Sequence, residues 1–341
     1  MDGGVKVVVG AGLSGLSLAR ELLDRGFQVR VLELRRRVGG ISIVDSSVRG
    51  LLDKLSDTPV ELEKAVVRVG GRTLAVSRSG VEEVVDGVTA TGPRVPSPAE
   101  LGILGDRPSG IYPFHVALDL LVEGLRIGRR VAVYGLNRYS VLLARKLLEE
   151  GVREAYIVAP RRGLVEAPGD IKVVEGRIRR VKGSGRLEEV LVGDTVLEVD
   201  ALVIALFKTW NPFPGFEEVG HAAVEVYDPQ AVVETARLLA ENISCESSEA
   251  LKVKVEGEVQ VFPRVVRRCL KKILVARPGG GRVIVNGVSV DLGAGYAVVD
   301  LGGASSIEIS VEPDLLPALE GTRVPFRAGR FPPSIRGKRG G

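Results

Sequence analysis

The segment VKVVVGAGLSGLSLARELLDRGFQVRVLELRRRVGG, residues 5–40, carries the clearest structural signal in this sequence. It opens with Val5–Val9, in which four of five residues are β-branched valines, as is typical of a buried parallel strand. The glycine-rich turn Gly10–Gly15 follows, and apolar residues then recur at helical spacing. A second segment typical of a strand, Gln28–Leu32, ends at Glu33. The pattern predicts a strand, a helix and a second parallel strand.

Each glycine of the Gly-x-Gly-x-x-Gly turn has a physical role in a dinucleotide-binding unit. Gly10 allows the tight strand-to-helix turn, Gly12 lets the backbone approach a pyrophosphate, and Gly15 permits close packing of the helix on the strand. The free N–H groups at the helix N-terminus attract phosphates. Glu33, which follows the last glycine by 18 residues, is placed to accept hydrogen bonds from a ribose. The alternative is a glycine-rich turn without a ligand.

Length and charge limit the function classes. The chain has 341 residues, enough for two domains or for one domain with an insertion. Its 47 basic and 43 acidic side chains are nearly balanced, which does not indicate a nucleic-acid-binding protein. No apolar run reaches the roughly 20 residues that span a bilayer, and no secretory signal is visible, so a cytoplasmic protein is expected. Residues 326–341 are predicted to form a flexible basic tail.

The two cysteines limit the redox chemistry. Cys245 and Cys269 form no CxxC motif, which excludes an adjacent dithiol pair and any four-cysteine cluster built from this chain alone. Cys245 is interpreted as a buried thiol. No metal site is predicted. Few Gln and His residues, together with abundant Val, Arg and Glu, suggest a thermophilic source.

The end of the opening segment indicates which nucleotide is bound. ELRRRVGG, residues 33–40, resembles the E-x-R-x-R-x-G-G signature of FAD enzymes of the glutathione-reductase-type superfamily. The resemblance assigns Glu33 to the adenosine ribose and Arg35 and Arg37 to the signature arginines. It also assigns Gly39–Gly40 to close backbone approach to the cofactor. FAD is therefore the expected cofactor.

The chain repeats itself at an offset of 125 residues. GLSLARELLDRG, residues 15–26, aligns without gaps to SVLLARKLLEEG, residues 140–151, which predicts a second strand–helix–strand unit. Two of its three fingerprint glycines are replaced, by Asn137 and Ser140. Such a unit usually binds NAD(P)H in the superfamily, and the arginines at 161–162 would suit a 2′-phosphate. NAD(P) binding stays open, and a unit kept for packing is the favoured interpretation.

Two motifs between the repeats extend the resemblance. VDGVTATG, residues 85–92, resembles the strand and A-T-G turn that lead out of the FAD domain, which assigns Thr91 and Gly92 to the cofactor. The later G-D-R-P-x-G motif, residues 105–110, precedes a helix into the second unit. This order is similar to the FAD subunits of amino-acid, opine and related dehydrogenases.

A further cofactor residue is expected after the second unit. VEVYDPQAVVETARLLAEN, residues 224–242, suggests a strand, then Asp228, then a helix. In the superfamily, an Asp preceded by Gly at this point holds the flavin's ribityl chain, although Tyr227 replaces that glycine here. The alternative role of Asp228 is a helix N-cap. The complete set expected to bind FAD is Gly10, Ala11, Gly12, Leu13, Ser14, Gly15, Glu33, Leu34, Arg35, Arg37, Gly39, Gly40, Thr91, Gly92 and Asp228.

The predicted fold class is α/β, with two Rossmann-like units, the second inserted in the first, and a small β-rich appendage. VDALVIALFKTWNP, residues 199–212, resembles the strand that returns to the FAD domain. The expected divisions are an FAD domain at 1–112 and 200–245, a second unit at 113–199, a β-rich domain at 246–325 and the tail.

No residue stands out as a catalytic group, which suits a flavin enzyme because flavin carries the redox chemistry itself. His115 is interpreted as a capping or packing residue, and His221 is the one candidate base. The leading hypothesis is an FAD-dependent dehydrogenase subunit that works with a partner subunit or as a homo-oligomer. It would take a hydride from a small amine, amino acid or hydroxy acid, or from NAD(P)H. The alternative is a non-catalytic FAD-binding scaffold or regulatory subunit.

Overall fold

The computed structural model describes residues 5–160 and 165–312. The helices are α1 (Leu13–Asp24), α2 (Arg49–Lys54), α3 (Phe114–Val122), α4 (Arg138–Glu149) and α5 (Pro229–Ile243). The strands are β1 (Lys6–Val9), β2 (Val29–Leu32), β3 (Val60–Glu61), β4 (Ala65–Val69), β5 (Arg72–Ser77), β6 (Gly80–Glu83), β7 (Val88–Thr89), β8 (Leu104–Gly105), β9 (Ile111–Pro113), β10 (Arg130–Tyr134), β11 (Glu154–Ala159), β12 (Lys172–Glu175), β13 (Ile178–Lys182), β14 (Glu189–Val192), β15 (Thr195–Glu198), β16 (Ala201–Ile204), β17 (Glu217–Glu218), β18 (Lys252–Glu256), β19 (Gln260–Phe262), β20 (Lys272–Ala276), β21 (Arg282–Val285), β22 (Val288–Asp291), β23 (Tyr296–Asp300) and β24 (Ser306–Val311).

The first sheet is parallel and has the strand order β17-β7-β1-β2-β3. Val7, Val8 and Val9 of β1 are buried, as expected for a strand whose two faces are both covered. α1 and α5 pack against each other beside this sheet and share one apolar core with it. The predicted strand–helix–strand order of residues 5–33 is confirmed.

The second sheet is also parallel, with the order β12-β11-β10-β16-β9. α4 repeats α1 at the predicted offset of 125 residues, and both helices have 12 residues. One expectation is wrong, because β16 pairs with β10 in this sheet and does not return to the first. The boundary at residue 200 therefore cuts through the second unit, whose sheet also includes β9 at its edge.

Two chain crossings connect the units. The outgoing segment at Arg94 and the returning segment at Lys208 form an antiparallel bridge, in which each backbone N–H donates to the other's carbonyl at 2.9 Å. The chain then reaches β17, which joins the first sheet beside β7. The second unit is thus inserted between two neighbouring strands of the first.

Smaller, mainly antiparallel sheets make up the rest of the described fold, in which β8–β13 and β18–β24 are the parallel pairs. β4-β5-β6 form two hairpins, the first of which turns at Gly70–Gly71, and β15-β14-β13-β8 lie against the second sheet. The C-terminal strands form two sheets, β18-β24-β21-β22 and β19-β20-β23. Apolar residues of these strands, such as Phe262 and Ile273, belong to the same core as α5. Residues 313–325 of the predicted β-rich domain and the tail at 326–341 lie outside the described residues.

The two cysteines are joined rather than free. Cys245 and Cys269 form a disulfide with a Cα–Cα distance of 6.0 Å. The interpretation of Cys245 as a buried thiol is therefore wrong. The bond ties the chain just after α5 to the segment that leads into β20. Among the described residues, no helix has the length and apolar character needed to cross a membrane.

Candidate cofactor site

A cavity of about 510 Å3, here called the first cavity, lies where β1 and β2 end. It is lined by most of the residues that the sequence assigns to FAD, namely Gly10, Gly12, Leu13, Ser14, Glu33, Leu34, Arg35, Gly39, Gly40, Thr91 and Gly92. Ala11, Gly15, Arg37 and Asp228 are not among its lining residues. The sequence analysis did not assign Lys64, Val66, Phe114, His115 or Phe207 to the site, yet they also line it.

Gly10 and Gly15 are required by the protein's own packing. Gly10 has φ +111°, and a Cβ atom there would lie 2.4 Å from the Ala90 carbonyl oxygen. A Cβ atom on Gly15 would lie 2.0 Å from the Gly10 carbonyl oxygen. No side chain fits at these distances, so the two glycines hold the turn against the start of α1.

Gly12 is different, because nothing in the protein excludes a side chain there. Its φ is −75°, and an added Cβ would meet only the Gly40 Cα, at 3.9 Å. Gly39 and Gly40 lie across from it, and the Gly39 N–H donates to the Ala11 carbonyl at 2.7 Å. The space beside Gly12 is therefore open, as it should be where a ligand approaches the backbone.

Glu33 braces the turn and faces the first cavity. One carboxylate oxygen accepts from the Ala11 N–H at 2.8 Å and the other from the Arg35 N–H at 2.9 Å. The side chain is buried, at 6% exposure. Because each carboxylate oxygen has a second lone pair, Glu33 keeps acceptor capacity for a ribose hydroxyl.

Arg35 and Arg37 are engaged by α3. The Arg35 Nε lies 3.0 Å from Asp119, and Arg37 pairs with the same carboxylate and, at 3.2 Å, with Glu123. These pairs fasten the segment after β2 to the first helix of the inserted unit. Arg35 also lines the first cavity, whereas Arg37 does not.

A family model described as an NAD(P)-binding Rossmann-like domain matches residues 8–50. The chain is similar to L-proline dehydrogenase from P. horikoshii, with 19% identity and a TM-score of 0.51 over 70% of this chain and 56% of that chain. It is similar to T. acidophilum thioredoxin reductase, with 15% identity and a TM-score of 0.51 over 69% of this chain and 95% of that chain. It is also similar to an NAD-dependent persulfide reductase from A. fulgidus, with 15% identity and a TM-score of 0.51 over 82% of this chain and 66% of that chain.

The chain has the glutathione-reductase-type fold. Identities below 20% establish this fold and not an activity. The chain spans 56% of the length of L-proline dehydrogenase.

The strand expected directly before Asp228 lies earlier in the chain. The sequence predicts a strand at residues 224–227 followed by Asp228, but no strand forms there. The strand that joins the first sheet is β17, and Gly220-His221 follow it closely. Asp228 caps α5 by accepting from the Gln230 N–H at 2.8 Å. His221 lines the first cavity and Asp228 does not, so the geometry favours His221 over Asp228 as a cofactor contact.

A cluster of aromatic rings lies on one side of His221. The rings of Tyr139, Phe114, Phe207 and Tyr227 form edge-to-face and tilted contacts with centroid distances of 5.3–6.4 Å, and are here called the aromatic cluster. The Tyr139 ring lies 5.4 Å from the His221 ring. Burial raises the pKa of Tyr139, so this side chain is neutral.

The second fingerprint is closed by its own side chains. Asn137 and Ser140 form a capping box, in which the Asn137 Oδ1 accepts from the Ser140 N–H at 3.0 Å and the Ser140 Oγ accepts from the Asn137 N–H at 2.9 Å. The Asn137 amide also donates to the Ala205 carbonyl at 2.7 Å. Both residues are buried, and Tyr139 of the aromatic cluster sits within the same first turn of α4. The N–H groups that a pyrophosphate would use are thus partly taken.

A second cavity of about 490 Å3 lies beside this closed fingerprint. Asn137 and Tyr134 line it, together with Pro278 and Gly279 from a turn of the C-terminal sheets. Phe207 lines both cavities and forms a wall between them.

His221 makes stability depend on pH. Burial lowers its pKa from 6.5 to about 4, so the unfolded chain takes up a proton at higher pH than the folded chain does. The contribution of the neutral His221 ring to the free energy of unfolding is therefore complete above pH 6.5. It decreases by about 3 kcal/mol as the pH falls towards 4. Between pH 7 and pH 4, the free energy of unfolding measured in urea should fall by about 3 kcal/mol less for His221→Asn than for the wild type. Equal losses would contradict this, since His115, whose pKa burial also lowers, is present in both chains.

Proposed function

We propose that this chain binds FAD in the first cavity and acts as a flavin-dependent oxidoreductase. The observation that carries the proposal is the open space beside Gly12, in a cavity that also contains Glu33 and Gly39–Gly40. The protein's own packing does not require a glycine at position 12, whereas a pyrophosphate beside it would. The N–H groups at the start of α1 would hold this pyrophosphate, and Glu33 would hold the adenosine ribose.

When bound, FAD supplies the hydride and electron chemistry. The chain's residues bind and orient the cofactor and limit access to it. Phe114, Phe207 and His221 supply a mostly apolar part of the lining, where the two units meet. Among these groups only His221 titrates, and burial keeps it neutral at pH 7.

We further propose a role as a dehydrogenase subunit that takes a hydride from a small amine, amino acid or hydroxy acid. The support is the order of A-T-G, G-D-R-P-x-G and helix in the sequence, together with similarity to L-proline dehydrogenase. We also propose that the chain works with a partner subunit or as a homo-oligomer, in the cytoplasm. A non-catalytic FAD-binding scaffold is the second candidate, favoured by the closed second fingerprint and the aromatic cluster.

Reduction of the FAD-loaded chain tests this function. We expect stoichiometric NADH or NADPH to leave the flavin oxidised, because Asn137 and Ser140 occupy the pyrophosphate position of the second unit. Absorbance near the flavin maximum is followed anaerobically, and dithionite is the control that reduces any accessible flavin.

Small donors then separate the two candidates. Bleaching of the flavin by an amino acid, an amine or a 2-hydroxy acid supports the dehydrogenase. A flavin that dithionite reduces and no small donor reduces supports the scaffold. Rapid bleaching by NAD(P)H would contradict the account of the second unit.

A further inference from the structure

His221 lines the first cavity and contains a buried, unpaired ring nitrogen. Its side chain is 6% exposed and lines that cavity. Its Nε2 atom is buried and has no hydrogen-bond partner among the described residues. Buried polar atoms are rarely left unpaired in folded proteins, so this atom points to a ligand group.

Backbone geometry fixes the position of His221. Gly220 has φ +63°, and a Cβ atom there would lie 2.5 Å from the Ser14 side chain. The Gly220 N–H donates to the Thr235 hydroxyl of α5 at 3.0 Å. The chain therefore passes directly against the start of α1, which sets His221 beside the glycine-rich turn.

The neighbouring Val226 backbone assigns the tautomer of the ring. Its interaction with the imidazole favours a protonated ring nitrogen, and because Nε2 is the unpaired atom, we assign this proton to Nδ1. The neutral ring then has only a lone pair at Nε2, which accepts and does not donate. The group that completes this site must carry an O–H or N–H donor.

We propose that the His221 Nε2 accepts a hydrogen bond from a hydroxyl of the ribityl chain of FAD, and this inference rests on the proposed function. A pyrophosphate held at the start of α1 has no donor at neutral pH. The sugar hydroxyls on either side of it are the nearest donors, and Glu33 takes those of the adenosine ribose. The ribityl hydroxyls remain for His221. A neutral imidazole thus replaces the aspartate that the superfamily resemblance places at this contact.

Paired ligands and variants test the contact. His221→Asn retains a donor for the Val226 carbonyl but removes the acceptor at the Nε2 position, and His221→Gln places an oxygen there. Dissociation constants for FAD and ADP are measured by calorimetry on cofactor-free protein. We expect His221→Asn to weaken FAD about tenfold and leave ADP unchanged, and His221→Gln to recover part of the loss. Asp228→Asn, which keeps the cap of α5, is the matched control and should leave FAD binding unchanged.

Every other result of these binding measurements contradicts one specific claim. If His221→Asn binds FAD as tightly as wild type, or if FAD and ADP weaken by the same factor, His221 does not contact the ribityl chain. A loss confined to Asp228→Asn would restore the assignment to Asp228. If the wild-type chain binds ADP but not FAD, the proposed function fails, and this inference fails with it.

Discussion

A Gly12→Ala chain is expected to fold like the wild type and to bind FAD about a hundredfold more weakly. The added methyl group would meet only the Gly40 Cα, at 3.9 Å, so the cofactor-free protein accommodates it. The same methyl group would occupy the space through which a pyrophosphate approaches the backbone. An overpacking cost of about 3 kcal/mol corresponds to this loss of affinity.

Gly15→Ala is the matched control for this prediction. Its methyl group would lie 2.0 Å from the Gly10 carbonyl oxygen, so α1 must move away from the turn. We expect a clear fall in the thermal midpoint of the cofactor-free chain for Gly15→Ala and almost none for Gly12→Ala. The account fails if Gly12→Ala keeps full FAD affinity, or if the two variants are equally destabilised.

Loss of the Cys245–Cys269 disulfide is expected to cost about 3 kcal/mol of the free energy of unfolding. The two residues are 24 positions apart, and cross-linking a loop of this size restricts the unfolded chain by about that amount. The cross-link joins the end of α5 to the segment before β20, so its removal also loosens the C-terminal sheets from their shared core.

Urea unfolding with and without dithiothreitol measures this contribution. The free energy of unfolding of the wild type should fall when dithiothreitol is added. That of the double variant Cys245→Ser, Cys269→Ser should be low and the same with and without dithiothreitol. A wild-type chain whose stability does not respond to reduction would contradict the prediction.

Local patterns in the sequence were enough to predict the first unit and its repeat. The turn at Gly10–Gly15 and the acid at Glu33 are defined by residues close together in the chain, and α4 follows α1 at a fixed offset. Local patterns do not predict positions that depend on contacts between residues far apart in the chain. β16 has the apolar pattern of any buried parallel strand, so its sequence does not reveal which sheet it joins.

The errors between the second unit and α5 have a physical cause. β17 has only two residues, Glu217 and Glu218, which is too short for any periodic pattern. Val224 and Val226 are buried without forming a strand, and their alternation with polar residues imitates one. The assignment to Asp228 followed from that imitation. The cysteine pairing likewise depends on the packing of α5 against the C-terminal sheets, which spacing alone does not give.

FAD titration of the purified chain tests the central claim most directly. The protein is first examined for bound flavin by visible absorption, then stripped of cofactor and titrated with FAD while flavin fluorescence is followed. The account predicts saturable binding of one FAD per chain, with ADP competing for the same site. A colourless protein that takes up no FAD at any concentration would contradict the assignment of the first cavity and the function built on it.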